Sequence, residues 1–191
     1  KSHLIGTFNV YNMLAAAAVA LALDVSLDVI KRALEAITGV DGRFEQVLAG
    51  QDYAVIVDYA HTSDSLENVL ETITTFKENK VYVVVGAGGD RDKTKRPLMA
   101  AVAEKYSDFV YLTSDNPRTE DPQAILADME AGMRTDRYEV IESRKAAIEK
   151  AVQAASAGDV ILIAGKGHET YQEIHGVRHD FDDREVARAA I

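Results

Sequence analysis

The chain has 191 residues, 47% of them hydrophobic and 27% charged, which is enough for one full domain with its own core and a little more. Its net charge of −10 excludes a sequence-independent nucleic-acid surface, which needs clustered cations, and disfavours contact with an anionic membrane. It has no cysteine, so disulfide frameworks and thiolate metal sites are out, and a cytoplasmic setting is compatible with the sequence.

The apolar run from Met13 to Leu23 is far shorter than the ~20 residues needed to cross a bilayer, and no small-residue cleavage pattern follows it. It is read as a buried helix over about Tyr11–Leu23, apolar on nearly every face and so in need of surrounding protein. A second helix opens at the cap candidate Ser26, places Ile30, Ala33, Leu34 and Ile37 on one face, and stops at Gly39. Two helices cannot cover such a segment. They are expected to be the tail of a preceding domain, with a boundary near residue 40.

Beyond Gly39 the pattern turns to strands alternating with helices. Ala54–Val57, Val81–Val85, Phe109–Thr113 and Val160–Ala164 are short β-branched runs of the fully buried kind. Between them lie a helix over about Ser65–Phe76, one following Pro97, one capped by Asp121 with Pro122 behind it, and one from Ser143 toward Gly158. Asp182 and Glu185 form a capping-box-like start for a terminal helix. The expected class is α/β: a Rossmann-like, mainly parallel sheet with helices on both faces, ligands binding where the strands end.

Each of these strands runs directly into a polar cluster: Asp58-Tyr59-Ala60-His61, then Gly86 to Lys93, then Ser114 to Arg118, then Gly165 to Glu169. Four such loops at one sheet edge make a cleft of both charge signs. The glycine-rich loop is not a phosphate loop, since Asp92 stands where the Walker pattern needs glycine before Lys93, and the dinucleotide pattern fails at Arg91. It reads as a tight turn presenting Arg91 and the basic stretch Lys93–Arg96, whose cations are equally consistent with a solvated helix start. Asp58 with His61 suits a general-base pair, although no serine or cysteine nucleophile accompanies it; a carboxylate that holds a ribose hydroxyl or orients an arginine fits as well. His3, His175 and His179 have no metal-site spacing and are assigned to surface or turns. In Asp115-Asn116-Pro117-Arg118, the arginine fork suits a carboxylate and the Asp115–Asn116 pair offers acceptors to an ammonium, although a capped turn before Pro122 explains the spacing equally well.

Seven segments, in order along nearly the whole chain, resemble the Mur ligase family: Gly6–Asn12, Gly42–Glu45, Asp58–His61, Gly88–Lys93, Asp115–Arg118, Gly165–Glu169 and Phe181–Glu185. The resemblance is to the members that add the third residue of the peptidoglycan stem peptide. It implies residues 1–40 as the end of a central ATPase domain and 41–191 as a C-terminal amino-acid-binding domain. It implies a whole protein that uses ATP and Mg2+ to make an acyl phosphate on a uridine-nucleotide dipeptide, UDP-N-acetylmuramoyl-L-alanyl-D-glutamate, which the amine of meso-diaminopimelate then attacks. The family's ATP loop and magnesium ligands have no counterpart in this chain, so alone it is expected to fold but to be catalytically silent.

By the same resemblance Asn12 meets adenine, and Arg43, Asp58 and His61 meet the nucleotide's phosphate and ribose. Arg91, Asp115, Asn116, Arg118, Gly165 and Glu169 bind the amino acid, and the protein acts as a cytoplasmic monomer on small molecules. Arginine at 118 marks diaminopimelate over lysine, because a buried distal carboxylate without its fork is costly. Ser63, where the family pattern has proline, is a departure of little consequence. A lysine-adding relative, a folylpolyglutamate synthase-like ligase and a non-catalytic binding module are the alternatives.

Overall fold

In the computed structural model, which describes residue 2 and residues 4–191, one mostly parallel sheet organises most of the chain. His3 lies outside the described residues. Two helices come first, α1 (Thr7–Ala22) and α2 (Leu27–Ala36). After them come β1 (Glu45–Gln46), β2 (Ala54–Asp58), α3 (Ser63–Thr74), β3 (Val81–Val85), α4 (Lys95–Tyr106), β4 (Phe109–Leu112), α5 (Pro122–Glu130), β5 (Tyr138–Val140), α6 (Arg144–Ala154), β6 (Val160–Ala164), β7 (Tyr171–Ile174), β8 (Val177–Asp180) and α7 (Asp183–Ala190).

The sheet order is β1-β2-β6-β3-β4-β5, parallel except for the short edge strand β1. Side-chain alternation explains why both faces are covered. Val81, Val83 and Val85 of β3 pack with α3, α4 and α5 on one face, while Tyr82 and Val84 pack with α6 and α7 on the other. β6 divides likewise, Leu162 to the first layer and Ile161 and Ile163 to the second.

The helices start where side chains satisfy their first N–H groups. Thr62 and Ser65 form a reciprocal box on α3, so Ser63 sits harmlessly inside the first turn. Asp121, Ser143 and Asp182 cap α5, α6 and α7 through their side-chain oxygens. The first helix begins at Thr7, four residues before its expected start, and its apolar surface is bare: Tyr11, Leu14 and Val19 are more than half exposed, and Asn9 is its buried residue.

Besides the two-residue β1, two strand features escaped the sequence reading. β5 is a half-buried edge strand with no apolar run. β7 and β8 make a separate hairpin whose two-residue turn, His175-Gly176, has positive φ at both positions (50° and 75°), the geometry that matches strand twist. His175 thus takes a turn role and His179 an exposed strand position.

The strand order sets the site. β3 leads outward to β4 and β5, and β6 then returns to insert between β2 and β3. Asp58 and Val85 both register with Ala164, so the loops after β2, β3, β4 and β6 leave the sheet side by side.

Candidate functional site

A cavity of about 190 Å³ opens at this edge. It is lined by all six residues read as the amino-acid site, Arg91, Asp115, Asn116, Arg118, Gly165 and Glu169, and also by Tyr59, His61 and Lys95. Three cations and two carboxylates on one small wall suit a ligand that carries both signs.

The loop after β4 is rigidly set. Asp115 Oδ1 accepts the Asn116 N–H at 2.7 Å, and Gln172 Nε2 of β7 donates to the Asp115 carbonyl at 2.7 Å. Arg118 is held in the left-handed region (φ 53°), which a non-glycine residue adopts only when neighbours enforce it. The hairpin supplies that enforcement: Arg118 N–H donates to the Glu173 carbonyl at 3.0 Å, and His175 N–H donates to the Arg118 carbonyl at 2.7 Å. The guanidinium is thereby aimed along the glycine-rich loop, with Nη1 donating to Gly89 O at 2.7 Å and Nε 3.8 Å from the Glu173 carboxylate. Its Nη2 makes no hydrogen bond among the described residues.

Glycine is required where these loops meet. Gly165 has φ 116°, and a Cβ there would stand 2.6 Å from Asp115 Oδ2. A Cβ on Gly89 would stand 2.0 Å from the Pro117 carbonyl.

Two expectations are corrected. The stretch Lys93–Arg96 does not project into the cleft as a unit. Lys95 lines the cavity, donating to the His61 carbonyl at 2.9 Å, and burial pushes its pKa below the ordinary value, with Asp115 and Asp92 opposing. Lys93 pairs with Glu120 at 3.1 Å, and Arg96 is fully buried, donating to Glu120 and Asp128 at 2.8 Å each. Arg96 is therefore a strut between α4 and α5. The second correction concerns Asn116, whose side-chain oxygen is already occupied: Lys166 Nζ donates to it at 3.0 Å and Glu173 N–H at 2.9 Å. It is not free to accept from an ammonium.

The other group of expected residues divides. Asn12, Arg43 and Asp58 line a second cavity of about 640 Å³, between α1, α2 and α3, whose walls include Phe8, Met13 and Ile37. Such a volume is ordinary for a small-molecule site. His61 lies at the first cavity instead, its Nδ1 2.8 Å from the Tyr59 carbonyl. Asp58 makes no pair with His61. Its Oδ2 accepts the Phe44 N–H at 2.7 Å, and burial raises its pKa against the backbone N–H groups of Phe44 and Ala60 and the charge of Arg43. Tyr59 stands between the two cavities, under the Arg43 guanidinium at 5.0 Å and beside His61 and His168.

Three buried charges behind the site were not picked out from sequence. Lys166 is fully buried beneath Asn116 and Glu169. Arg144 and Asp183, equally buried, meet in a two-pronged pair at 2.7 Å per prong, and Arg144 also donates to the carbonyl of Ala164, the residue before Gly165. Lys166 lies within the Gly165–Glu169 segment, but nothing local distinguishes a buried lysine from a solvated one. Asp183 lies in another such segment, and Arg144 in none.

The architecture is a mostly parallel α/β domain with a small pocket of mixed charge at its strand ends and a larger, partly apolar cavity beside it. The chain belongs to the Mur ligase family: the family described as "Mur ligase, glutamate ligase domain" matches residues 42–167. It is 62% identical over its whole length to the UDP-N-acetylmuramoyl-L-alanyl-D-glutamate–2,6-diaminopimelate ligase of Oceanobacillus iheyensis, covering 39% of that protein. To the ligase of the same name from Bacillus cereus it is 58% identical, covering 98% of this chain and 38% of the relative. A solved structure described by the same ligase name superposes with a TM-score of 0.77 at 44% identity, covering 100% of this chain and 39% of that one. The chain thus spans about two-fifths of the length of these relatives. Among the described residues no helix is long and apolar enough to cross a membrane.

Proposed function

We propose that this chain is the amino-acid-recognising part of an ATP-dependent ligase that joins meso-diaminopimelate to UDP-N-acetylmuramoyl-L-alanyl-D-glutamate. One observation carries the reading. Six residues from three separate loops converge on a single cavity of mixed charge, with Arg118 on its wall and its Nη2 uncommitted. The names of the similar proteins support the same substrate.

In this reading the Arg118 fork takes the distal carboxylate, and Asp115 and Glu169 take ammonium charge. Arg91 and Lys95 add cations at the mouth. These residues position an amine for attack on an acyl phosphate held by the rest of the protein; none acts as a nucleophile. Residues 41–191 form the binding domain, and residues 1–40 belong to the central ATPase domain, whose surface the bare apolar side of α1 would meet.

The second cavity fits a nucleotide in its donor set. Arg43 supplies a cation, Asn12 an amide, and Phe8, Met13 and Ile37 an apolar wall for a base. ATP supplies the phosphoryl group that activates the acceptor carboxylate. The described residues offer no cluster of metal-ligating side chains, so no magnesium role is assigned to them. The protein is read as a cytoplasmic monomer.

The deciding experiment is ADP release by the full-length protein with meso-diaminopimelate or L-lysine as the acceptor. Diaminopimelate is expected to be preferred, and Arg118→Ala to remove most of that preference, since the charge-assisted pair with the distal carboxylate is lost. An unchanged preference in Arg118→Ala would end the specificity argument; a lysine preference in the unmutated protein would favour the lysine-adding reading.

A further inference from the structure

We infer that Lys166 is a positioning residue of the amino-acid cavity, and that it makes Asn116 a hydrogen-bond donor toward the ligand. The inference rests on reading that cavity as the amino-acid site.

Lys166 has no exposed side-chain surface, and an ammonium is stable there only if its donors are satisfied. Nζ lies 3.0 Å from Asn116 Oδ1, 3.2 Å from Glu169 Oε2, and 5.4 Å from the centre of the Tyr171 ring. The contacts of Asn116 itself settle which way its amide faces. Lys166 Nζ and the Glu173 N–H, 2.9 Å away, can only donate, so the atom they share must be the amide oxygen. On the other side Glu169 Oε2, at 2.8 Å, can only accept from Nδ2 while ionised. Both lone pairs of Oδ1 and one hydrogen of Nδ2 are therefore committed inside the protein. What Asn116 has left is one N–H.

That remaining donor suits a carboxylate oxygen of an amino acid and not its ammonium. The ammonium then falls to Asp115 and to the second oxygen of Glu169, whose first oxygen Lys166 already shares with Asn116. Lys166 thus touches no ligand, yet decides the polarity of one side chain that does and balances the charge of another. Without it nothing holds the Asn116 oxygen inward except one backbone N–H, and Glu169 loses its buried counter-charge.

The test is steady-state ADP release by the full-length protein, varying meso-diaminopimelate and ATP separately. Lys166→Met keeps the length of the side chain and removes the charge. Its KM for the amino acid is expected to rise about tenfold or more, the cost of losing charged hydrogen bonds, while its KM for ATP stays within about twofold. Asn116→Asp gives a second, independent reading, since it leaves an acceptor in place and removes the donor. Because the new oxygen also stands 2.8 Å from Glu169 Oε2, the comparison is made in a Glu169→Gln background, whose amide can donate to it: there an ammonium-accepting residue 116 predicts a lower KM for the added charge, and a donor role predicts a rise. An amino-acid KM that Lys166→Met leaves unchanged, or one that Asn116→Asp lowers in that background, overturns the inference, and Asn116→Asp decides it alone if Lys166→Met does not fold. If the unmutated protein releases no ADP in response to the amino acid, the reading of the cavity itself falls, and this inference with it.

Discussion

Replacing Asp183 with alanine should be among the most damaging single changes in the chain, for reasons visible behind the candidate site. Asp183 and Arg144 both have fully buried side chains, joined by two hydrogen bonds of 2.7 Å. Arg144 spends a third donor on the Ala164 carbonyl, and its Nη1 already has no partner. Asp183→Ala leaves the guanidinium charged and enclosed, because arginine does not deprotonate in proteins. Breaking a buried pair from one side costs about 3–5 kcal/mol. For a chain of this size that lowers the melting temperature by roughly 6–20 °C.

Thermal unfolding followed by circular dichroism reads the effect directly. The companion variant, Arg144→Met with Asp183→Leu, removes both charges and should recover most of the loss, since apolar replacement of a whole buried pair is often neutral or better. The reasoning fails if Asp183→Ala costs less than about 1 kcal/mol, the centre of the range for point substitutions of every kind. It fails equally if the double variant is as unstable as the single one.

Two further outcomes follow from the loops. Glu120 accepts from Arg96, from the Asp90 N–H and from Lys93, which together hold its pKa near 2. Its folded pKa is below the usual 4.5, so its contribution is complete above that value and is lost as the pH falls toward 2. The melting-temperature gap between the native chain and Glu120→Gln should therefore be widest near neutrality and close toward pH 2; a gap independent of pH would contradict this. Gly165→Ala places a Cβ 2.6 Å from Asp115 Oδ2 at a φ of 116°. It should cost about 1–3 kcal/mol of stability in thermal melts and raise the amino-acid KM more than the ATP KM. A stable Gly165→Ala with an unaltered amino-acid KM would remove Gly165 from the site.

Much of this protein is legible in one dimension because its central strands are buried on both faces. Such strands must be continuous β-branched runs, so β2, β3, β4 and β6 stand out, and helix caps such as Asp121-Pro122 mark their own positions. β5 and the β7–β8 hairpin lack that burial. Their half-buried or exposed residues carry no apolar signal, and the hairpin's one local mark is the glycine of its turn.

The polar loops were legible as a group, since a parallel sheet delivers all its strand ends to one edge whatever the loops contain. The fate of each charge within them was not. Arg96 and Lys95 are adjacent in sequence and read alike, yet one is a buried strut and the other faces the cavity, because helix α4 turns about 100° between them.

Asp115–Arg118 shows the same division between sequence and structure. Its residue types alone suit a zwitterion and a capped turn equally well. Which atoms remain available depends on partners 50 or more residues away: Lys166 and Glu173 occupy the Asn116 oxygen, and the hairpin holds Arg118 in the left-handed region. Sequence determined the chemistry offered at the strand ends, through residue type and strand periodicity. Only the tertiary structure decided which donors and acceptors face a ligand, because hydrogen-bond capacity is consumed by neighbours that the fold, and not the order of the chain, brings within 3 Å.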